Sequence, residues 1–370
     1  AYNTNMAVNE CFLDSATLRE NVVSLARNIG YVPRSARSAM ATINFSVDLG
    51  TNDTRIVTLK AGQVALGNQV GGSYIFSIPD DFVATTGDNN VAIFNNLNVY
   101  EGIYLQKSFQ IDYSQPNQRF ILPNANIDTT SIRVTVTSTT SEIYTLYDNI
   151  LRVDAESKLF LIQEIEDEHY EILFGDGILG KKPPSGAIVN VSYIVSNGRA
   201  GNDAKNFSFI GILEDDRGLS ITSGISVIQT TNKASMGDDI EDISSIKYLA
   251  PRIYSSQYRA VTASDYSGII PFVYPNVESV TAYGGEELEP PEYGKVFISI
   301  KPKNGSFLSQ ITKDDISRQL KQYSIAGIKP EIIDLKYLYV EVDTSVYYNS
   351  NSVSDTTELL TSVTKALTSY

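Results

Sequence analysis

Near the start of the chain apolar side chains recur every three or four positions, and beyond Ala39 they recur every second one. Val8, Cys11, Ser15, Leu18, Val22, Leu25 and Ile29 form one stripe of a helix expected over residues 5–30, because that spacing places side chains on one helical face. Thr17 and Glu20 have the spacing of a capping box, so the helix is expected to break near Asp14 and restart at Thr17. Gly30 and Pro33 then stop it. Such a stripe packs on the chain's own body or against other chains. Here it precedes a long β region with few helical neighbours in sequence, and Leu18, Val22, Leu25 and Ile29 are expected to form a subunit-interface helix.

From residue 39 the pattern is that of half-buried strands. Ile43, Phe45, Val47 and Leu49 face one way with polar residues between them. Further strands are expected over 74–78, 99–105, 118–122, 131–137, 159–163 and 170–174, separated by Gly, Asn, Asp and Pro at 62–72, 87–90 and 114–117. Residues 39–235 therefore read as a mainly antiparallel β domain, with an insert expected near residues 80–150. Residues 236–330 mix helices over 240–250, 263–270 and 312–323 with strands over 277–283 and 295–301. A strand over 338–347 and a helix from 355 open a further α/β domain at 331–370. The expected fold is multidomain, β-rich α+β: a helical segment at 1–38, antiparallel β domain(s), then an α+β domain.

Composition narrows the function. Lys and Arg total 29 against 43 Asp and Glu, a formal charge of −14, which repels nucleic acid and anionic lipid. No nucleic-acid partner is expected. No signal peptide is visible, and apolar runs such as 268–274 fall far short of the roughly 18 residues of a membrane span, so no membrane insertion is expected either. One cysteine, Cys11, and one histidine, His169, leave no disulfide framework, zinc cluster or ordinary Cys–His nucleophile pair. Among so many carboxylates, pairs arise by chance, and none stands in an apolar run that would tune it for acid–base work. Glu164, Glu166 and Glu168, around His169, read as solvated charge, and Asp238, Asp239, Glu241 and Asp242 as a helix start that complements the dipole. No catalytic, cofactor-binding or metal-ligating residue is expected. Gly175-Asp-Gly177 lies between strands and lacks the Gly-Lys-Ser/Thr of a phosphate loop. It reads as a hairpin turn, with Phe174, Gly175, Asp176 and Gly177 as a structural turn motif.

The ordered set of runs is more specific than any one of them. Phe174-Gly-Asp-Gly-Ile-Leu-Gly-Lys-Lys-Pro-Pro-Ser-Gly186, Val189-Asn-Val-Ser-Tyr193 and Asn197-Gly-Arg-Ala-Gly-Asn202 resemble the signature hairpin of the baseplate J family. Gly237-Asp-Asp-Ile-Glu-Asp242, Arg259-Ala-Val-Thr-Ala-Ser-Asp-Tyr266 and Pro275-Asn-Val-Glu-Ser-Val280 resemble its central α+β domain, with Arg259, Ala260, Thr262, Asp265 and Tyr266 as family signature. Ala1-Tyr-Asn-Thr4, Thr17-Leu-Arg19 and Ala26-Arg-Asn-Ile-Gly-Tyr-Val-Pro33 are similar to the inner-ring wedge subunits of T-even-type contractile-tailed phages (myoviruses).

The resemblance implies a non-enzymatic virion structural protein of the tail baseplate, assembled in the host cytoplasm. It implies a homo-oligomer, dimeric within a wedge and joined into a ring of wedges around the tail hub proteins. Its other partners would be a large wedge subunit and a small sheath-initiator subunit, and the ring would rearrange to trigger sheath contraction. Against the family pattern, the chain begins inside the N-terminal helical motif and stops in the helix after Asp355, as the front and middle of a longer polypeptide would. A baseplate subunit of a bacterial contractile injection machine is the alternative. A tail adhesin or polysaccharide-degrading enzyme would also be β-rich, but no repeat is found and Trp is absent.

Overall fold

Strands with alternating apolar positions pair into four sheets among the described residues. The computed structural model describes residues 8–50, 54–69, 72–87, 89–115, 117–147, 153–230, 232–257, 259–274, 277–303, 307–308, 310–335, 345, 347 and 360–365. The expected β-rich α+β architecture is the one the chain adopts, with several mostly antiparallel sheets and few helices.

The first β body holds a six-stranded sheet ordered Lys205–Phe209, Gly62–Gln69, Gly72–Ile78, Val91–Glu101, Met40–Asp48, Gln229–Thr230. A four-stranded sheet ordered Ser220–Ile221, Leu213–Glu214, Ile56–Leu59, Phe82–Thr85 shares its core. Strand Met40–Asp48 alternates as expected, with Ile43, Phe45 and Val47 buried. Phe45 pairs in register with Phe94, and their rings stack 4.6 Å apart, a contact worth more than its buried area alone.

The second β body is a seven-stranded sheet ordered Ile103–Gln110, Ile188–Val195, Ile127–Thr137, Ser141–Leu146, Leu159–Glu164, Tyr170–Phe174, Phe120–Ile121. Its core includes Val134, Val136, Phe160, Ile172, Val189, Val191 and Tyr193. The strands that flank the glycine-rich run, Tyr170–Phe174 and Ile188–Val195, are not neighbours. The first pairs with Leu159–Glu164 and Phe120–Ile121, the second with Ile103–Gln110 and Ile127–Thr137. The expected β-hairpin is thus corrected: residues 175–187 are a crossing loop, because other strands of the sheet lie between its two ends.

The third body is α+β. Helices α1 (Arg19–Asn28), α2 (Ile243–Ser256), α3 (Ala263–Val273) and α4 (Gln310–Leu320) surround a sheet ordered Val277–Gly284, Lys295–Pro302, Lys329–Ile333. Val22, Val23 and Ala26 of α1 share a core with Ile246, Leu249 and Ile253 of α2, Ile269 of α3 and Ile298 of the central strand. The N-terminal helix is therefore part of the body formed mainly by residues 243–333. The expected Thr17–Glu20 capping box does not form. Glu10 caps instead, its carboxylate accepting from the Thr17 and Leu18 N–H groups, the Thr17 hydroxyl and the Asn21 amide. Those bonds hold its pKa at about 2.

The three bodies are nested. The chain leaves the α+β body at 34–39 for the first β body, crosses to the second at Glu101–Ile103, returns at 196–204, and re-enters the α+β body at 232–242. An insert is expected near 80–150; the sheet with its own core runs from Ile103 to Val195.

By its contacts the chain divides into units 1–334 and 335–370, and the second has helical backbone at 360–365. Residues 1–4 of the N-terminal motif, Pro275 and Asn276, and most of the expected strand at 338–347 and helix from 355 lie outside the described residues.

Candidate functional site

All these crossings between bodies meet at one joint, and the joint is built from buried charge. Asp238 is 1% exposed. It accepts from Arg34 Nη2 at 2.8 Å, Arg199 Nε at 2.6 Å and Lys303 Nζ at 3.0 Å. Those cations come from the chain leaving the α+β body, the chain returning from the second β body, and the loop after the central α+β strand. Backbone bonds join the same pieces, with Arg37 N–H donating to Asp238 and Asp238 N–H to Arg37. Burial raises the Asp238 pKa, but the Arg199 and Lys303 donors and the Arg34 charge outweigh it and leave the group below its ordinary value.

Further buried carboxylates extend the joint. Glu241 accepts from Tyr31 Oη at 2.6 Å and Arg34 N at 2.8 Å, while its carbonyl accepts from Arg19. Glu164 takes a two-pronged bond from Arg19, at 2.6 and 3.1 Å. Burial pushes the pKa of Glu241 and Glu164 up, only partly offset by these donors. Glu101 accepts from the Ser196 hydroxyl and from the Asn197 N–H and amide. Asp128 accepts from the Ser38 N–H and from Thr130. Asn202 and Gly237 exchange a reciprocal pair of 2.9 Å bonds.

This differs from the sequence reading, in which the acidic residues near 164 and 238 are solvated or simply open a helix. Asp242 does cap α2, accepting from the Ser244 and Ser245 N–H groups. Asp238 and Glu241 instead turn inward. A signal for Glu164 existed: Phe160, Ile162 and Glu164 share one face of their strand, and Phe160 is core. Glu101 likewise follows Leu97 and Val99 on the buried side.

Ion pairs among packed walls fix orientation. Among the described residues no group of three or more His, Cys, Asp or Glu is placed to hold a metal ion. No helix among them is long and apolar enough to cross a membrane.

The interface stripe is largely used within the chain. Val22 is fully buried, Leu25 and Ile29 pack half-buried on the α+β core, and Leu18 is exposed. The turn motif is a hydrogen-bonded loop. Asp176 Oδ1 accepts from the Ile178 and Leu179 N–H groups, Gly177 has φ +92°, and Gly177 N–H donates to Gly180. A side chain at Gly175 would lie 2.3 Å from the Gly180 backbone. In the family signature, Thr262 and Asp265 form the capping box of α3, and Tyr266 is buried with its hydroxyl on Ser324. Ala260 is buried and its N–H donates to Tyr323. Arg259 is exposed and bonds Gln257. These residues are spread through the fold and do not converge on one pocket.

The fold and joint describe a protein of three cores tied together by buried ion pairs. Residues 107–198 match the third domain of the bacteriophage baseplate wedge protein gp6, and residues 262–333 match the C-terminal domain I of the baseplate structural protein gp6. The baseplate wedge protein gp6 of Enterobacteria phage T4 is 27% identical over 97% of this chain. The chain spans 57% of that relative's length. A chain of the cryo-EM structure of the anti-feeding prophage (AFP) baseplate, 6-fold symmetrised, is 15% identical, with 91% of this chain and 64% of that one covered at a TM-score of 0.32. Over most of its length the chain is thus similar to a baseplate wedge protein, and over two stretches to domains of that kind of protein. These relatives are structural baseplate proteins, not enzymes.

Proposed function

We propose that this chain is a structural subunit of a contractile tail baseplate wedge, forming an inner ring around the tail hub. The observation that carries this is the colinear match, two wedge domains in order within an alignment over 97% of the chain. In this reading the chain binds copies of itself, a large partner wedge subunit and a small sheath-initiator subunit, and resides in the tail baseplate of the virion. The nested bodies and their buried charged joint suit a rigid spacer that transmits a rearrangement to the sheath. Tails carrying a small electron-dense label on this chain test it directly. Label in a ring at the baseplate is the expected image; label along fibres or the tube, or no incorporation, overturns the reading.

A further inference from the structure

The seven-stranded sheet begins at strand Ile103–Gln110, which pairs on one side only. It runs against Ile188–Val195 along its whole length without a shift in register. Strand parity fixes where its backbone groups point. Ile111 N–H donates to Ala187 on the neighbouring strand's side, whereas Gly102 N–H turns the other way, to Ile75 of the first β body. On the neighbour, Ile194 N–H turns to Ser131 Oγ in the next strand along, so the odd-numbered positions of the two strands bond each other. The N–H and C=O groups of Gln106 and Ser108 therefore point out of the sheet edge. No hydrogen bond among the described residues takes them, and residues 106–108 are exposed.

An edge of this kind is a template for another strand. Natural edges are blunted by a proline, a bulge or a short length, and this one has none of these. Its one guard is Lys107. The Lys107 Nζ lies 5.8 Å from the centre of the Phe109 ring and makes no ion pair among the described residues. Its cross-strand neighbour is Val191. An antiparallel copy of the same edge, centred here, would set lysine against lysine, whereas a carboxylate opposite Lys107 would be favourable. Leu105 and Phe109 flank it on the same face and pack, half-buried, against the core of the sheet. Gln106 and Ser108 occupy the other face.

We propose that this edge receives an extended segment of a different protein chain, added as one more strand, in which a carboxylate stands between two apolar side chains at alternate positions. The backbone of that segment bonds Gln106 and Ser108. Its carboxylate meets Lys107, and its apolar side chains lie against Leu105 and Phe109. In strand addition the main-chain bonds supply affinity and the alternate side chains supply selectivity. The inference goes beyond the wedge reading and does not rest on it.

Amide hydrogen exchange on the full chain tests it, with a short end-blocked peptide that alternates threonine with valine, glutamate and valine. In the chain alone, the Lys107 and Phe109 amides, bonded to the neighbouring strand, should exchange slowly, and the Gln106 and Ser108 amides fast. At millimolar peptide the Gln106 and Ser108 amides should slow at least roughly tenfold. A peptide with lysine in place of glutamate should bind at least roughly tenfold more weakly, the scale of losing one interfacial charge pair. Lys107→Glu should reverse that preference. Gln106→Pro removes an outward N–H and leaves the inner ladder its bonds, so it should melt like the parent and lose peptide binding. Lys107→Glu, a change at an exposed side chain, repeats the test should Gln106→Pro fail to fold. The proposal falls if the Gln106 and Ser108 amides are protected in the chain alone, or become so as chain concentration rises, since the chain or a second copy then covers the edge. It also falls if the peptide gives no protection, if its N-methylated form protects equally well, or if charge reversal leaves the preference unchanged.

Discussion

Arg19 and Glu164 face each other across 145 positions of sequence, with Nε–Oε1 at 2.6 Å and Nη2–Oε2 at 3.1 Å, and so tie α1 to the second β body. Burial works against the charged carboxylate here and lifts its pKa despite the arginine. The pair is therefore a device for orientation more than a source of net stability. Arg19→Ala should cost about 3–5 kcal/mol in denaturant unfolding, because it leaves a buried charge uncompensated. Arg19→Leu combined with Glu164→Leu should recover much of that loss. If the double variant is no more stable than the single one, the cost is lost packing and the charge argument is wrong.

Val22→Ala should lower the stability of the isolated chain by about 1.5–3 kcal/mol, since the side chain is fully buried against α2 and its neighbours. Leu18→Asn, at the exposed start of the same helix, should stay within about 0.5 kcal/mol. Thermal unfolding of both chains checks the contrast. Equal losses would mean that α1 does not pack as described.

Periodicity carried most of the strands and the helices at 243–256, 263–273 and 310–320, because alternation and capping residues are local signals. The Thr262 cap of α3 is one such case, and its partner Asp265 lies three positions on. The single strand expected over 99–105 is instead two, ending at Glu101 and starting at Ile103 in different sheets. Pairing was not local. Nothing near Gly175 says that Tyr170–Phe174 will seek Leu159–Glu164 and Phe120–Ile121 while Ile188–Val195 seeks two other strands. The nesting is hidden for the same reason, since the crossings are recognisable only once the three cores are known. Inward charge was partly legible: Glu164 and Glu101 lie on buried faces by strand parity. Asp238 was not, because the cations that hold it lie 204, 39 and 65 positions away.

The loop after Phe174 separates two kinds of glycine. At Gly175 a methyl group would strike the Gly180 backbone at 2.3 Å, so Gly175→Ala should cost on the order of 1–3 kcal/mol by overpacking. Gly177 has room, with its nearest neighbour 3.8 Å away, but holds φ +92°. Gly177→Ala should cost about 1–2 kcal/mol through the backbone alone. Unfolding curves for both variants decide the matter, and normal stability in either removes the reason given for that glycine.

Acid should separate the joint's carboxylates by sign. Glu164 and Glu241 have folded pKa values above the ordinary 4.5, so the folded state binds protons that the unfolded state does not. Their effect on stability is favourable below 4.5 and is lost as pH rises through the folded values. Asp238 has a folded pKa below the ordinary 3.8. Its contribution is present above 3.8 and is lost as pH falls through the folded value. Unfolding free energies measured from neutral pH down to pH 3, for the parent and each variant, isolate these effects, because the shared titration of the other groups largely cancels in the difference. Relative to the parent, Glu164→Gln should lose the gain that appears as pH falls toward 4.5. Asp238→Asn should be the weaker protein at neutral pH, with the gap narrowing below pH 3.8. A gap that stays constant across the acid range would mean that Asp238 is not held charged by Arg199, Lys303 and Arg34.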